Sequence, residues 1–208
     1  MTSSAKTRLL KLATFVACLA PLANLVFDAL TGGLGANPIE AGMNRLGWWT
    51  LFFLTAALVP TPLNDLLGWK WPVRLRRMLG LFAFAYATMH FSWYVGVDKF
   101  FDLGDIAADV AKRRFQAVGF VAFLVLWPLA LTSTAAAVRR MGYVRWKRLH
   151  RLAYLAAVLG VVHFVWRVKA DLRQPMIFAV AVGTLLALRV AVWASRRRAQ
   201  SRRALPTP

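Results

Sequence analysis

Cysteine and acidic residues are scarce in this chain of 208 residues. Its single cysteine, Cys18, excludes an internal disulfide and therefore a disulfide-stabilised scaffold. Eight Asp and Glu stand against 27 Lys and Arg, for a formal net charge of +19. The P-loop, the Rossmann glycine pattern, HExxH and GxSxG do not occur either. The sequence therefore predicts no phosphate-cradling loop, no usual dinucleotide site and no common hydrolase centre.

Long apolar stretches are what the chain has in abundance. Apolar residues make up 59% of it, against about 45–50% in soluble proteins, and this hydrophobicity excludes intrinsic disorder. Six stretches of about 20 residues could each cross the bilayer core. We expect an all-α, integral membrane six-helix bundle in one domain over residues 1–208. The predicted spans are Leu9–Leu30, Leu46–Leu63, Met78–Val97, Phe115–Val138, Leu149–Val168 and Met176–Ala194, with a basic tail over 195–208.

The distribution of charge along the chain predicts its orientation in the membrane. Lys and Arg concentrate at the N-terminus, in alternate links and in the C-terminal tail, whereas nearly all acids fall in the other links. Short loops rich in Lys and Arg remain cytoplasmic, so both termini are predicted to be cytoplasmic. The first span lacks a clean small-x-small cleavage site, which favours its retention. Topology explains the positive charge, so the expected partner is the lipid bilayer and not nucleic acid.

Two of the three histidines lie inside predicted spans at similar depth. His90 is about 18 Å along the third span and His163 about 21 Å along the fifth, at 1.5 Å per residue. These spans run in the same direction, so the two imidazoles can face each other. A haem placed edge-on between the helices could take one imidazole on each side of its iron. The alternative is that each is a core histidine bonded to a backbone carbonyl.

His150 is the third histidine, at the cytoplasmic start of span five. It precedes His163 by 13 residues, about 20 Å of helix, a suitable separation for a second redox centre. Thirteen residues leave the two side chains about 140° apart on a straight helix, so periodicity does not place them on one face. The alternative is a solvated interfacial histidine in a basic loop.

Basic side chains surround the cytoplasmic ends of these spans. The simplest explanation of these basic residues is again the topology, because cytoplasmic loops are rich in Lys and Arg. Guanidinium and ammonium groups would also suit haem propionates, a flavin phosphate or an acidic patch on an electron donor. The candidates are Arg76, Arg77, Arg145, Lys147, Arg148 and Arg151. On the opposite side, the acids between Asp98 and Asp109 suggest a docking surface for a partner.

Several of these stretches resemble the ferric-reductase-like transmembrane family. The resemblance rests on Arg145–Leu152, on Val162–Trp166, and on a histidine in span three. It implies one or two b-type haems, with His90 and His163 holding the outer one and His150 ligating an inner one. Arg76 stands where the family has a second histidine in span three. An inner site would therefore be five-coordinate, use another ligand, hold flavin (FMN) or be empty.

The likeness is closest to the haem-binding membrane subunits of bacterial methionine sulfoxide reductase systems. It implies an inner-membrane subunit that accepts electrons from a cytoplasmic flavin reductase or quinol. An MsrP-like periplasmic molybdopterin reductase would then receive them, for repair of oxidised envelope proteins. No substrate chemistry is expected in this chain alone. The alternatives are a self-sufficient transmembrane ferric or metal reductase, or a cofactor-free transporter or structural subunit.

Overall fold

The computed structural model describes the backbone of residues 3–203 and the side chains of residues 5–200. Within that range the protein is 86% helical and has no strand, which confirms the all-α prediction. The end of the predicted basic tail, residues 204–208, lies outside the described residues. The helices are α1 Ser3–Thr31, α2 Pro38–Leu58, α3 Pro60–Leu67, α4 Arg76–Trp93, α5 Leu103–Lys112, α6 Arg114–Leu131, α7 Ala135–Met141, α8 Tyr143–Leu149, α9 Leu152–Arg167 and α10 Arg173–Arg203.

Five helical segments of the described chain are long and apolar enough to cross a membrane. They are Ala5–Thr31, Pro38–Leu67, Arg114–Leu131, Tyr143–Arg167 and Arg173–Gln200. The remaining predicted span, Met78–Val97, corresponds to α4 and a π-helical segment, Tyr94–Asp98. It is more polar, with two arginines in its first turn and His90 near its end.

Local capping explains where α2 begins and where α6 ends. Asn37 caps α2 by accepting a hydrogen bond from the Glu40 amide, and Pro38 occupies the first helical position. The helix thus begins eight residues before the predicted span. The last seven residues of the predicted fourth span lie outside α6, which ends at Leu131. There the Ser133 hydroxyl donates back to the Leu129 carbonyl, and Thr134 caps α7.

Two helix pairs form the centre of the bundle. Within the described residues, α2 packs most extensively against α4, and α6 against α9. The shared core includes Phe53, Tyr86, Phe123 and Ala157. Helix α10 packs beside α9 and α2, and its Arg189 donates to the Tyr154 hydroxyl and the Leu58 carbonyl. The paired helices therefore place α4 and α9, the two histidine-bearing helices, within one bundle.

Tyr86 fastens the long first helix to this core. Pro21 lies inside α1, where its ring clashes with the preceding turn and opens the helix. The Tyr86 hydroxyl enters the backbone ladder there. It accepts from the Leu22 amide at 3.0 Å and donates to the Cys18 carbonyl at 2.9 Å. Tyr86 is only 1% exposed, so this side chain bridges the Leu22 amide and the Cys18 carbonyl in a dry environment.

We expect Tyr86→Phe to destabilise the protein by about 1–3 kcal/mol, because a buried amide and a buried carbonyl lose their shared partner. The measurement is thermal unfolding in detergent. Phe82→Leu is the control, since it alters packing on the same helix without touching this hydrogen bond. An unchanged unfolding midpoint for Tyr86→Phe would mean that the Leu22 amide and the Cys18 carbonyl satisfy each other within α1.

Candidate functional site

His90 and His163 face each other across the interior of the bundle. Their ring centroids are 6.3 Å apart and the ring planes are inclined by 79°. His90 comes from the last turns of α4 and His163 from those of α9. The structure thus brings together two of the three histidines singled out in the sequence.

A backbone carbonyl orients each imidazole. Nδ1 of His90 donates to the Met43 carbonyl on α2 at 2.9 Å, and Nδ1 of His163 donates to the Phe115 carbonyl on α6 at 2.7 Å. A carbonyl can only accept, so both rings carry their proton on Nδ1. Each Nε2 is left with a free lone pair, which is the form in which a neutral imidazole ligates a metal.

Glycine makes room for each of these hydrogen bonds. A Cβ added at Gly47 would lie 3.0 Å from Cε1 of His90, and one at Gly119 would lie 2.5 Å from Nδ1 of His163. Each glycine is four residues after the accepting carbonyl, directly above it on the helix. A side chain at either position would cover the carbonyl and displace the ring.

The rings border a cavity of about 1250 Å³, larger than the roughly 300–1,000 Å³ of typical small-molecule sites. Its walls come from α2, α4, α6 and α9, and its mouth from the loops at one end of the bundle. Polar groups gather at the mouth, and the floor is apolar. The polar lining residues are Asn37, Glu40, Asn44, Thr50, Asp98, Asp109, Arg113, Gln116, Arg167, Lys169 and Asp171.

A haem fits the donor set that these residues present. Two metal–nitrogen bonds of about 2 Å each, plus half the width of both rings, span about 6 Å. The observed separation of 6.3 Å matches this value. Among the described residues no group of three His, Cys, Asp or Glu could hold a metal ion. Two imidazoles suit an iron whose other four ligands come from a macrocycle.

Helix α5 covers the mouth with an apolar stripe. Leu103, Ile106, Ala107 and Val110 have the i, i+3, i+4, i+7 spacing of one helix face, and all four line the cavity. Leu103 is 75% exposed. The stripe therefore faces the space between the histidine-bearing helices, where a bound planar apolar molecule would cover it.

Ion pairs anchor α5 to the rest of the bundle. Lys99 pairs with Asp105 at 2.6 Å and with Asp109 at 2.8 Å, and Arg113 pairs with Asp109 at 3.3 Å. The hydrogen bonds that Lys99 donates to Asp105 and Asp109 raise the pKa of Lys99, and the bond from Lys99 lowers the pKa of Asp109. Asp102 caps α5 through the Asp105 amide. Four acids form the predicted docking surface, and three of them, Asp102, Asp105 and Asp109, thus have intramolecular roles.

His150 lies apart from this cavity. Its ring stacks on Trp146 with centroids 4.0 Å apart. The Thr132 hydroxyl donates to the Pro128 carbonyl, so it accepts a hydrogen bond from Nε2 of His150 at 3.0 Å. Trp146 also donates to the Thr132 carbonyl. His150 thereby joins the end of α6 to the start of α9, and its Nε2 is already bonded.

The six basic residues proposed for a cofactor do not line the cavity either. Among the described residues, the cations at its mouth are Arg113, Arg167 and Lys169. Arg76 donates to the Thr61 hydroxyl at 3.3 Å. Arg167 is not among the residues predicted for the site. Its position one turn after His163 on the same helix could have indicated that it lies near the site. Both glycines are likewise absent from the predicted residues, since their partners are visible only once the helices are paired.

Comparison with known proteins agrees with this architecture. The family model described as "Ferric reductase like transmembrane component" matches residues 46–161. Three curated relatives are each named protein-methionine-sulfoxide reductase heme-binding subunit MsrQ. The relative from Rhodospirillum rubrum is 53% identical, with 93% of each chain covered. That from Herminiimonas arsenicoxydans is 48% identical, covering 93% of this chain and 89% of the relative. That from Caulobacter vibrioides is 46% identical, covering 89% and 87%.

The fold and the facing histidines describe a helical membrane protein with a paired-imidazole site. The chain belongs to the ferric-reductase-like transmembrane family and, within it, to the MsrQ family. The resemblance noted in the sequence is confirmed.

Gly119→Ala should destabilise the protein by about 1–3 kcal/mol, because the added Cβ would force His163 away from its carbonyl. Gly80→Ala is the matched control in another helix, where a Cβ meets nothing within 4 Å. There the same change should stabilise by about 0.5–1 kcal/mol. Thermal unfolding in detergent measures both. Equal effects of the two substitutions would contradict the inference that Gly119 makes room for the His163 ring.

Asp109→Asn should destabilise the protein by about 1–3 kcal/mol at pH 7, since it removes a nearly buried charged acceptor. The pKa of Asp109 is lowered by folding, so its stabilisation exists above the unfolded value of about 3.9. It disappears as the pH falls towards the lower folded value. The difference in melting temperature between wild type and Asp109→Asn should therefore shrink below about pH 4. The more exposed Asp105→Asn should have a smaller effect, and a pH-independent difference would contradict this account.

Proposed function

We propose that this chain binds a b-type haem between α4 and α9, and that Nε2 of His90 and Nε2 of His163 would hold its iron. The observation that carries the proposal is the facing pair of imidazoles, both with Nδ1 bonded to a carbonyl and 6.3 Å between ring centroids. The relatives' names, which describe a heme-binding subunit, support it independently.

The protein's own groups hold and insulate the cofactor. A bound haem supplies a one-electron carrier, because its iron cycles between the ferric and ferrous states. The carbonyls of Met43 and Phe115 prevent the imidazoles from rotating and increase their basicity as ligands. Apolar walls from Leu51, Leu54 and Phe123 keep the site dry. Because two protein nitrogens would hold the haem iron, the site would favour electron transfer over binding of a substrate to iron.

We further propose that the chain carries electrons across the bacterial inner membrane to an MsrP-like periplasmic molybdopterin reductase. The donor would be a cytoplasmic flavin reductase or quinol. With six spans and both termini cytoplasmic, as the charge distribution predicts, the cavity mouth would lie on the periplasmic side, in keeping with this direction. The names of the relatives support methionine sulfoxide reduction as the purpose. FMN remains a candidate second cofactor at the cytoplasmic end.

The proposed inner haem at His150 has weaker support. Its Nε2 donates to Thr132, and Arg76 stands at the position where the family has a second histidine. Ligation through Nε2 would have to break that hydrogen bond, which also holds the α6–α9 junction. We therefore place the first haem at the outer pair and treat His150 as the ligand of a second one only if two haems are measured per chain.

The ligand assignment predicts a specific spectroscopic outcome. Wild type should give a b-type reduced-minus-oxidised spectrum, and His90→Ala and His163→Ala should each remove at least half of the bound haem. Exogenous imidazole should restore part of it, which separates ligand loss from misfolding. His150→Ala is the control that keeps the outer pair. A colourless wild type, expressed with ample haem, would refute the function.

A self-sufficient metal reductase is the second candidate, favoured by the size of the cavity and by its polar mouth. The two functions differ in what oxidises the reduced protein. We expect fast reoxidation on adding an MsrP-like reductase with methionine sulfoxide, and at least tenfold slower reoxidation by a ferric chelate alone. Faster reoxidation by the chelate would favour the metal reductase.

A further inference from the structure

Helices α2 and α6 present the same three features to the cavity in the same register. Each has a carbonyl that holds a histidine, an amide side chain at the next residue, and a glycine three residues after the amide. Both amide side chains line the cavity. The residues are Met43, Asn44 and Gly47 on α2, and Phe115, Gln116 and Gly119 on α6.

The amide of Asn44 lacks a protein partner for its oxygen. Oδ1 is buried and forms no hydrogen bond among the described residues. Such an atom costs about 1–3 kcal/mol when it stays unsatisfied. A primary amide also carries two N–H donors, and its two ends are interchangeable by rotation. Asn44 is therefore suited to a polar group of a ligand in the cavity.

Arg167 brings a positive charge to the same region. It lies one turn beyond His163 on α9, lines the cavity, and has a side chain 27% exposed. Its ion-pair partner is Glu40, at 3.5 Å, which is long for a charge-assisted hydrogen bond. A closer carboxylate from a ligand would therefore compete well for the guanidinium.

Two of the acids at the mouth are already paired within the protein. Asp109 pairs with Lys99 and Arg113, and Asp171 pairs with Arg173. Lys169 follows the end of α9. The charged lining is Glu40, Asp98, Asp109, Arg113, Arg167, Lys169 and Asp171. Among the cations that line the cavity, Arg167 is the nearest along the chain to either of the two facing histidines.

We propose that Asn44, Gln116 and Arg167 bind carboxylate groups of the ligand that the histidines hold. This inference rests on the proposed function, and under it the carboxylates are the haem propionates. The two amides donate from opposite helix pairs, and Arg167 forms the charged contact. The three residues thereby orient the macrocycle with its acidic edge towards the mouth. They also stabilise the reduced state, because a cation opposes the loss of the added electron.

The test is redox titration of the purified haem-loaded protein. Arg167→Gln should lower the ratio of ferrous to ferric haem at a fixed potential by about tenfold, or about 59 mV for a one-electron couple. Arg167→Lys should stay close to wild type, because it keeps the charge. Arg173→Gln is the matched control on the same face, since Arg173 is exposed and does not line the cavity. Equal behaviour of Arg167→Gln and Arg173→Gln would overturn the proposal.

A second experiment tests whether the three residues bind the haem propionates or a free anion. Haem dimethyl ester has the same macrocycle and iron but no carboxylates. Asn44→Leu should weaken the retention of haem, because it removes an amide donor to a carboxylate. Reconstituted with the ester, wild type and Arg167→Gln should have the same potential, and wild type and Asn44→Leu should retain the ester equally. A tenfold difference that persists with the ester would overturn the assignment to propionates. A wild type that binds neither haem nor its ester would instead refute the proposed function.

Discussion

An imidazole in the apolar interior of a helical bundle must place its N–H on an acceptor, and helix carbonyls are almost the only acceptors there. Those carbonyls already accept from the amide four residues later and are normally covered by that residue's side chain. At residues 43 and 115 the covering residue is glycine, so the second lone pair of each carbonyl is open to a neighbouring histidine. The helix pairing follows from this requirement. Helix α2 must lie against α4, and α6 against α9, at the height of the glycines.

The same arrangement separates the two ends of the molecule. The histidines, the amides and Arg167 all face one cavity, and α5 lies over its mouth. At the other end the loops are fastened by hydrogen bonds among Thr132, Trp146 and His150. One end is therefore built to receive a ligand, and the other to hold the helices in register.

Much of this arrangement could be predicted by counting residues. Apolar stretches of membrane-spanning length and an axial rise of 1.5 Å placed His90 and His163 at matching depths, and the structure brings their rings together. The residues that line the mouth of the cavity could not be predicted by counting residues. Arg167 becomes relevant only when α9 is known to face the cavity, and Gly119 only when α6 is known to lie against His163. The end of α6 was misplaced because three consecutive hydroxyl residues, 132–134, terminate an otherwise apolar run.

The apolar stripe of α5 has a consequence for the life of the protein before it is complete. Because the stripe faces the cavity, a ligand that fills the cavity would add contacts that stabilise this helix. Without a ligand, α5 is held by its packing on α6, by the Lys99 ion pairs and by the hydrogen bond from Tyr94 to Asp109, so this segment would open locally at a lower free-energy cost than the central helices. Binding of a ligand in the cavity would therefore hold α5 in its closed position. Protease digestion would therefore distinguish filled from empty chains by cleavage within this single surface segment.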